Sequence, residues 1–191
     1  MKKIFAYGGI AASVVLVAFG SGAIVIGATG LNDVRDELAA QKITATDDAA
    51  ELTDGALQPG QAIDTGSEAR SFADIMEHHT LATTEGKRYA EMGRFLTASG
   101  DDTNDEALAA KTEDGRPVEN GLRNMWVTET ALTTALNTAF FAERVALFSI
   151  VMGVALLLTG IGFLVLTLGG ALGLVTLPRR AARANTASAA I

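Results

Sequence analysis

The sequence predicts a mainly α-helical fold: a membrane hairpin of two transmembrane helices extended beyond the bilayer, carrying a small acidic, mostly helical extracytoplasmic domain. Three observations predict it. No charged residue occurs in residues 4–32 or in residues 145–177. All 22 Asp and Glu fall in residues 33–143 together with 9 Lys and Arg, a local net charge of −13 against −7 for the 191-residue chain. The remaining basic residues, Lys2, Lys3, Arg144, Arg179, Arg180 and Arg183, flank the two apolar stretches.

The first stretch is 29 residues long, where about 20 suffice to cross the hydrocarbon as a helix. Lys2, Lys3 and the small Ala28 also suit a cleaved signal peptide. A signal's apolar region runs only ~7–15 residues, however, so the length favours a retained anchor. A lipoprotein signal is excluded, because the chain has no cysteine to acylate.

The second stretch is 33 residues with 19 Leu, Ile, Val or Phe. Each contributes roughly −0.3 to −0.6 kcal/mol to insertion near the helix centre. Two spans and a turn do not fit in that length, so one overlong or tilted helix is expected. Gly169, Gly170 and Gly173 loosen its end and Pro178 stops it. Basic residues concentrate on the cytoplasmic side of a span. The chain therefore divides into a cytoplasmic N-terminus (1–3), a first span (4–32), an acidic extracytoplasmic domain (33–143), a second span (144–177) and a cytoplasmic C-terminus (178–191). The expected location is a bacterial cell membrane, crossed twice.

Small residues recur at four-residue spacing in both spans: Gly8/Ala12, Gly9/Ser13 and Ala23/Gly27 in the first, Ser149/Gly153 and Gly169/Gly173 in the second. Such faces let helix backbones approach closely in lipid, although Gly and Ala are common in membrane helices anyway. Neither apolar stretch, 4–32 or 145–177, contains Asp, Glu, His, Lys or Arg, which argues against a proton path or ion channel.

The acidic domain opens and closes on continuations of the spans. Leu31, Val34 and Leu38 form one apolar face, and Leu132, Leu136 and Phe140, supported by Ala135 and Ala139, form another. The predicted helices are residues 4–41 and 128–177. Between them, residues 42–46 (KITAT) read as a short strand and residues 47–66 as a connection. Residues 67–84 read as an amphipathic helix with Ser67 as N-cap and Phe72, Ile75, Met76 and His79 on one face. Residues 87–95 predict a shorter helical piece bringing Tyr89, Met92 and Leu96 together. Residues 99–120 are polar, with turn clusters GDDTNDE and TEDGRP. Six aromatics in 111 residues make a thin core, so the domain is expected to pack on its own helical stalk, on a partner, or on both.

Glu77, His78 and His79 are the weak candidates for a metal site. Adjacent helix residues point about 100° apart, so the two histidines are poorly placed to chelate one ion, and the preferred reading is a packed or interface His79 and a solvated His78. The acidic run Asp101, Asp102, Asp105 and Glu106 lacks the Gly and distant Glu of a calcium loop. No nucleophile elbow, phosphate loop or zinc spacing occurs, and the acidity disfavours nucleic acid. No catalytic residue, cofactor or metal is assigned.

Residues 73–92 (ADIMEHHTLATTEGKRYAEM) and 132–165 (LTTALNTAFFAERVALFSIVMGVALLLTGIGFLV) resemble a family of small two-pass membrane proteins widespread in actinobacteria. Members often carry the name aromatic ring-opening dioxygenase. That name implies an iron site, commonly of two His and a carboxylate in a facial array. With His78 and His79 adjacent and no others, the enzyme name does not carry over to these residues. The expected function is a non-enzymatic accessory subunit of a larger bacterial membrane complex. By analogy of size and topology, that complex is an actinobacterial respiratory cytochrome bc–oxidase supercomplex. Its partners would be membrane lipids and other membrane subunits. Docking would use Phe72, Ile75, Met76, Tyr89 and Trp126, with Gly8, Gly9, Ala12, Ser13, Ala23, Gly27, Ser149 and Gly153 packing the spans. The alternative is a membrane-anchored extracytoplasmic module that senses a ligand or ion.

Overall fold

The computed structural model describes residues 2–169. Gly170, Gly173, Pro178 and the basic group Arg179, Arg180 and Arg183 lie outside the described residues, and with them the predicted end of the second span. The described chain is mainly helical: α1 (Lys2–Gln41), α2 (Ala49–Leu52), α3 (Gly66–Thr83), a short 3-10 turn (Tyr89–Glu91), strands β1 (Phe95–Leu96) and β2 (Asp102–Thr103), and α4 (Gly121–Leu168). Both long helices are apolar and long enough to cross a membrane. The packing forms two compact units, Met1–Val25 with Ser149–Ile191, and Ile26–Phe148.

In the first unit α1 and α4 pack antiparallel along small residues spaced by seven. Ala6, Ser13 and Gly20 on α1 and Gly153, Gly160 and Thr167 on α4 are all buried. A seven-residue repeat keeps one seam facing a partner helix at 3.5 residues per turn. The backbones approach so closely that a methyl group on Gly20 would sit 2.6 Å from Leu157 N, and one on Gly153 would sit 2.7 Å from Gly20 O. Gly160 is likewise closed by Val17. Ser13 satisfies its buried hydroxyl by donating to Gly9 O at 2.7 Å. The faces turned outward are apolar too: Val14, Val15 and Phe19 on α1, Val151, Leu158 and Val165 on α4. Helices apolar on all sides suit a surrounding of lipid or protein rather than water.

The four-residue spacing in the sequence locates this seam only in part. Gly9, Ser13 and Gly153 are buried and Ala23 and Ser149 half-buried. A side chain on Gly8 would meet no atom of another segment within 4 Å, and Ala12 is exposed, so this pair does not face α4. Gly20 and Gly160, which make two of the closest approaches, belong to the seven-residue pattern.

The second unit has a core of Leu38, Ala45, Ala49, Leu57, Ile63, Ala69, Ala73, Ile75 and Leu136. The predicted strand at residues 42–46 is one antiparallel bridge, Thr44 to Ala62, extended by Ile63 N–H to Ile43 O at 3.0 Å. The central helix starts at Thr65 as N-cap, not Ser67. Thr65 Oγ1 accepts from Glu68 N, and Glu68 Oε2 accepts from Thr65 N at 2.9 Å, a reciprocal capping box. The helix ends where Gly86, at φ +80°, turns its N–H to Leu81 O.

Residues 42–120 are less helical than predicted. The expected helix over 87–95 is only the 3-10 turn. The segment after it pairs in extended form: β1 with β2, Phe95 with Glu119, Thr97 with Ala109, and Lys111 with Pro117. Met92, Phe95 and Ala109 are buried within this curl, too few apolar residues to seat a helix but enough to anchor paired turns. Gly93 is required there, since any side chain would enter the Thr103 backbone. Asn120 joins the curl to α4. Its amide donates to Gly93 O at 3.0 Å, and its Oδ1 accepts from Leu122 N at 3.1 Å, capping α4. α4 consequently starts seven residues before the predicted 128.

Candidate functional site

Four segments of the second unit leave an apolar cleft of about 860 Å³ between them. Val34 and Leu38 come from one face of α1. Leu132, Ala135, Leu136 and Ala139 recur at i, i+3, i+4, i+7 on α4. Ile43 closes one end, and Phe72 and Met76 of α3 form another wall. Leu38 and Leu136 are buried in the floor. The space exists because Ala135 and Ala139 are short where larger side chains would fill the gap between the helices.

The polar lining residues are few: the exposed Asp33, Glu37 and Gln41, at four-residue spacing along α1, form the mouth, with His79 and Thr46, whose Oγ1 is buried, on the other elements. Gln41 donates to Glu37 Oε1 at 3.2 Å. None of the lining residues is Lys or Arg. Among the described residues, Asp33 and Glu37 form no ion pair.

His79 Nε2 lies 2.6 Å from Asp48 Oδ2. The Thr46 hydroxyl, then His79, hold the Asp48 carboxyl below its ordinary range. An ionised carboxylate only accepts hydrogen bonds, so Nε2 carries the proton in this pair. His79 is half-exposed and hydrogen-bonded to Asp48. Glu77 turns away to meet Arg88 Nη2 at 2.7 Å, and His78 is exposed. The three weak metal candidates thus point to three different surroundings. Among the described residues no group of three or more His, Cys, Asp or Glu is placed to hold a metal ion.

The docking residues named from the sequence separate into three groups. Ile75 and Trp126 are buried, at 1% and 4% exposure, and are not available to a partner. Ile75 belongs to the core, and Trp126 donates its indole N–H to Lys87 O at 2.9 Å, fastening the curl to α4. The sequence marks both as apolar docking candidates and not as internal residues. Phe72 and Met76 line the cleft. Tyr89 alone is exposed, with the Arg123 guanidinium 3.9 Å from its ring centroid.

The apolar cleft residues on α1 and α4, Val34, Leu38, Leu132, Ala135, Leu136 and Ala139, belong to faces legible in the sequence. The void between the faces was not legible, although two alanines one turn apart, Ala135 and Ala139, are its signal. Compared with protein-family models, with curated proteins and with solved structures, the chain matches none.

Proposed function

We propose that this chain is a membrane-anchored, non-enzymatic module that binds an apolar ligand in the cleft. In this reading α1 and α4 cross a bacterial cell membrane, both termini are cytoplasmic, and residues 33–143 stand outside. The cleft carries the reading. Small-molecule sites are concave, of about 300–1,000 Å³, mostly apolar and edged by a few polar groups, and this one agrees in volume and lining. The test is native mass spectrometry of the full chain released from lipid nanodiscs after gentle extraction. A retained small-molecule adduct on the wild type, lost in Ala135→Trp, supports binding in the cleft. A bare chain in both, or an adduct that Ala135→Trp leaves untouched, overturns it.

The second reading is the accessory subunit of a membrane complex, including the respiratory cytochrome bc–oxidase type suggested by the actinobacterial resemblance. The observation that favours it is the exposed Tyr89 under Arg123, since Tyr and Arg are enriched among residues that dominate interfaces. Affinity purification from native membranes in mild detergent tests it. Near-stoichiometric co-purifying subunits, lost in Tyr89→Ala, support the reading; a chain recovered alone overturns it.

A further inference from the structure

Resting on the binding reading, we infer that the ligand is an amphiphile whose apolar chain or ring fills the cleft and whose head group carries a positive charge. The apolar walls select the body of such a molecule, and the mouth selects its head. Asp33 and Glu37 stand one helical turn apart on the same edge of α1, both exposed, with no Lys or Arg among the lining residues. Neither forms an ion pair among the described residues. An anionic head placed there meets two like charges with no compensating cation. A cationic head meets two carboxylates whose only recorded side-chain partner is the neutral Gln41.

The neighbouring elements sharpen the preference. On α3, His79 is engaged by the carboxylate of Asp48, so its local charge is offset even when protonated. Arg35 on α1 reaches toward Glu143, at 3.8 Å, and not toward the cleft. Arg70 on α3 is held by Asp74 at 3.3 Å and Asn137 at 3.0 Å. Arg35 and Arg70 are thus engaged elsewhere, and Lys42, between Gln41 and Ile43, is not among the lining residues, so the charged groups lining the mouth are the two carboxylates. Enclosure by α1, α3, α4 and the segment after α1 suits a compact ligand better than a partner helix, which needs an open groove along several turns.

Head-group charge is separable from apolar binding. Three photoprobes share one alkyl diazirine chain and differ only in the head: trimethylammonium, hydroxyl or carboxylate. Each is cross-linked to the full chain in nanodiscs of neutral lipid. Labelling of the peptide holding residues 132–139 is normalised to labelling of the span peptides, which corrects for partition into the bilayer. The expected order is ammonium, then hydroxyl, then carboxylate, with ammonium about three- to tenfold above hydroxyl, as two partly exposed carboxylates supply. The double variant Asp33→Asn, Glu37→Gln should equalise the three probes while hydroxyl labelling persists. Equal labelling of the wild type, or a carboxylate preference, overturns the head-group inference and leaves the apolar reading standing. Absence of cleft labelling by all three overturns both. Labelling that Ala135→Trp fails to reduce means the probes bind elsewhere and likewise overturns both.

Discussion

Glu143 Oε2 accepts a hydrogen bond from Gly66 N at 3.0 Å, so a buried carboxylate on α4 holds the first turn of α3. The same oxygen lies 3.8 Å from Arg35 Nε on α1. Negative charge at a helix N-terminus is favoured by the helix dipole and the unpaired amides there. Gly66 is the residue that permits this contact, since a methyl on it would sit 2.9 Å from both Phe140 Cα and Glu143 Cβ. Glu143→Ala leaves the Gly66 amide without its partner and should destabilise the second unit by roughly 1–3 kcal/mol. Hydrogen exchange would show faster opening of the first turn of α3. Glu143→Gln, which keeps an accepting oxygen, should recover part of the loss.

Asn120 occupies a comparable position for the curl. Its Oδ1 caps α4 while its amide group holds Gly93 O, at 3% residual exposure. Loss of an N-cap alone costs typically about 1 kcal/mol. Asn120→Ala loses the cap and also leaves the Gly93 carbonyl unpaired, so it should cost more than about 1 kcal/mol, whereas Asn120→Asp retains the cap but still loses the bond to Gly93 O. Chemical denaturation of the two variants against wild type measures the difference.

The long helices were legible because charge and hydropathy are averaged over many residues. The α1 end at Gln41 follows from the same average, since Leu31, Val34 and Leu38 continue one face past the last apolar run. The curl was not legible. Tyr89, Met92 and Leu96 satisfy a helical spacing, yet Arg94 O and Leu96 N–H bond to Asn120 N and Val118 O, partners more than twenty residues away. A local period carries no information about such pairing. The cleft was illegible for a related reason: it is a space, set by which faces meet and by Ala135 and Ala139 falling short.

Acid should destabilise the second unit through three carboxylates held low. Asp48 is lowered by Thr46 and then His79, and Asp102 chiefly by the Gly93 N–H. Burial pushes Glu68 up, but hydrogen bonds from Thr65, Asp64 and Gln61 outweigh it and lower the group overall. A carboxyl lowered on folding adds stability that is present above its ordinary value, 3.8 for Asp and 4.5 for Glu, and is lost as pH falls through the folded value. The melting temperature should therefore fall as pH drops from about 5 to about 3. Asp48→Asn and Asp102→Asn should each shallow that fall, with lower stability at neutral pH.

Gly153 and Gly8 make a direct contrast within the membrane-length helices. Both are glycines on long apolar helices, and four-residue spacing treats them alike. A side chain on Gly153 meets the backbone of Gly20 and Ile24, whereas one on Gly8 meets nothing within 4 Å. Backbone cannot give way as a side-chain tip can, so Gly153→Val should force α1 and α4 apart in the first unit and cost about 1–3 kcal/mol. Gly8→Val should be nearly neutral. Spin labels on the outward-facing Val15 and Leu158 read the spacing directly: a longer distance in Gly153→Val and an unchanged one in Gly8→Val is expected. Equal distances in both would remove the seven-residue seam as the device that sets how closely these helices pack.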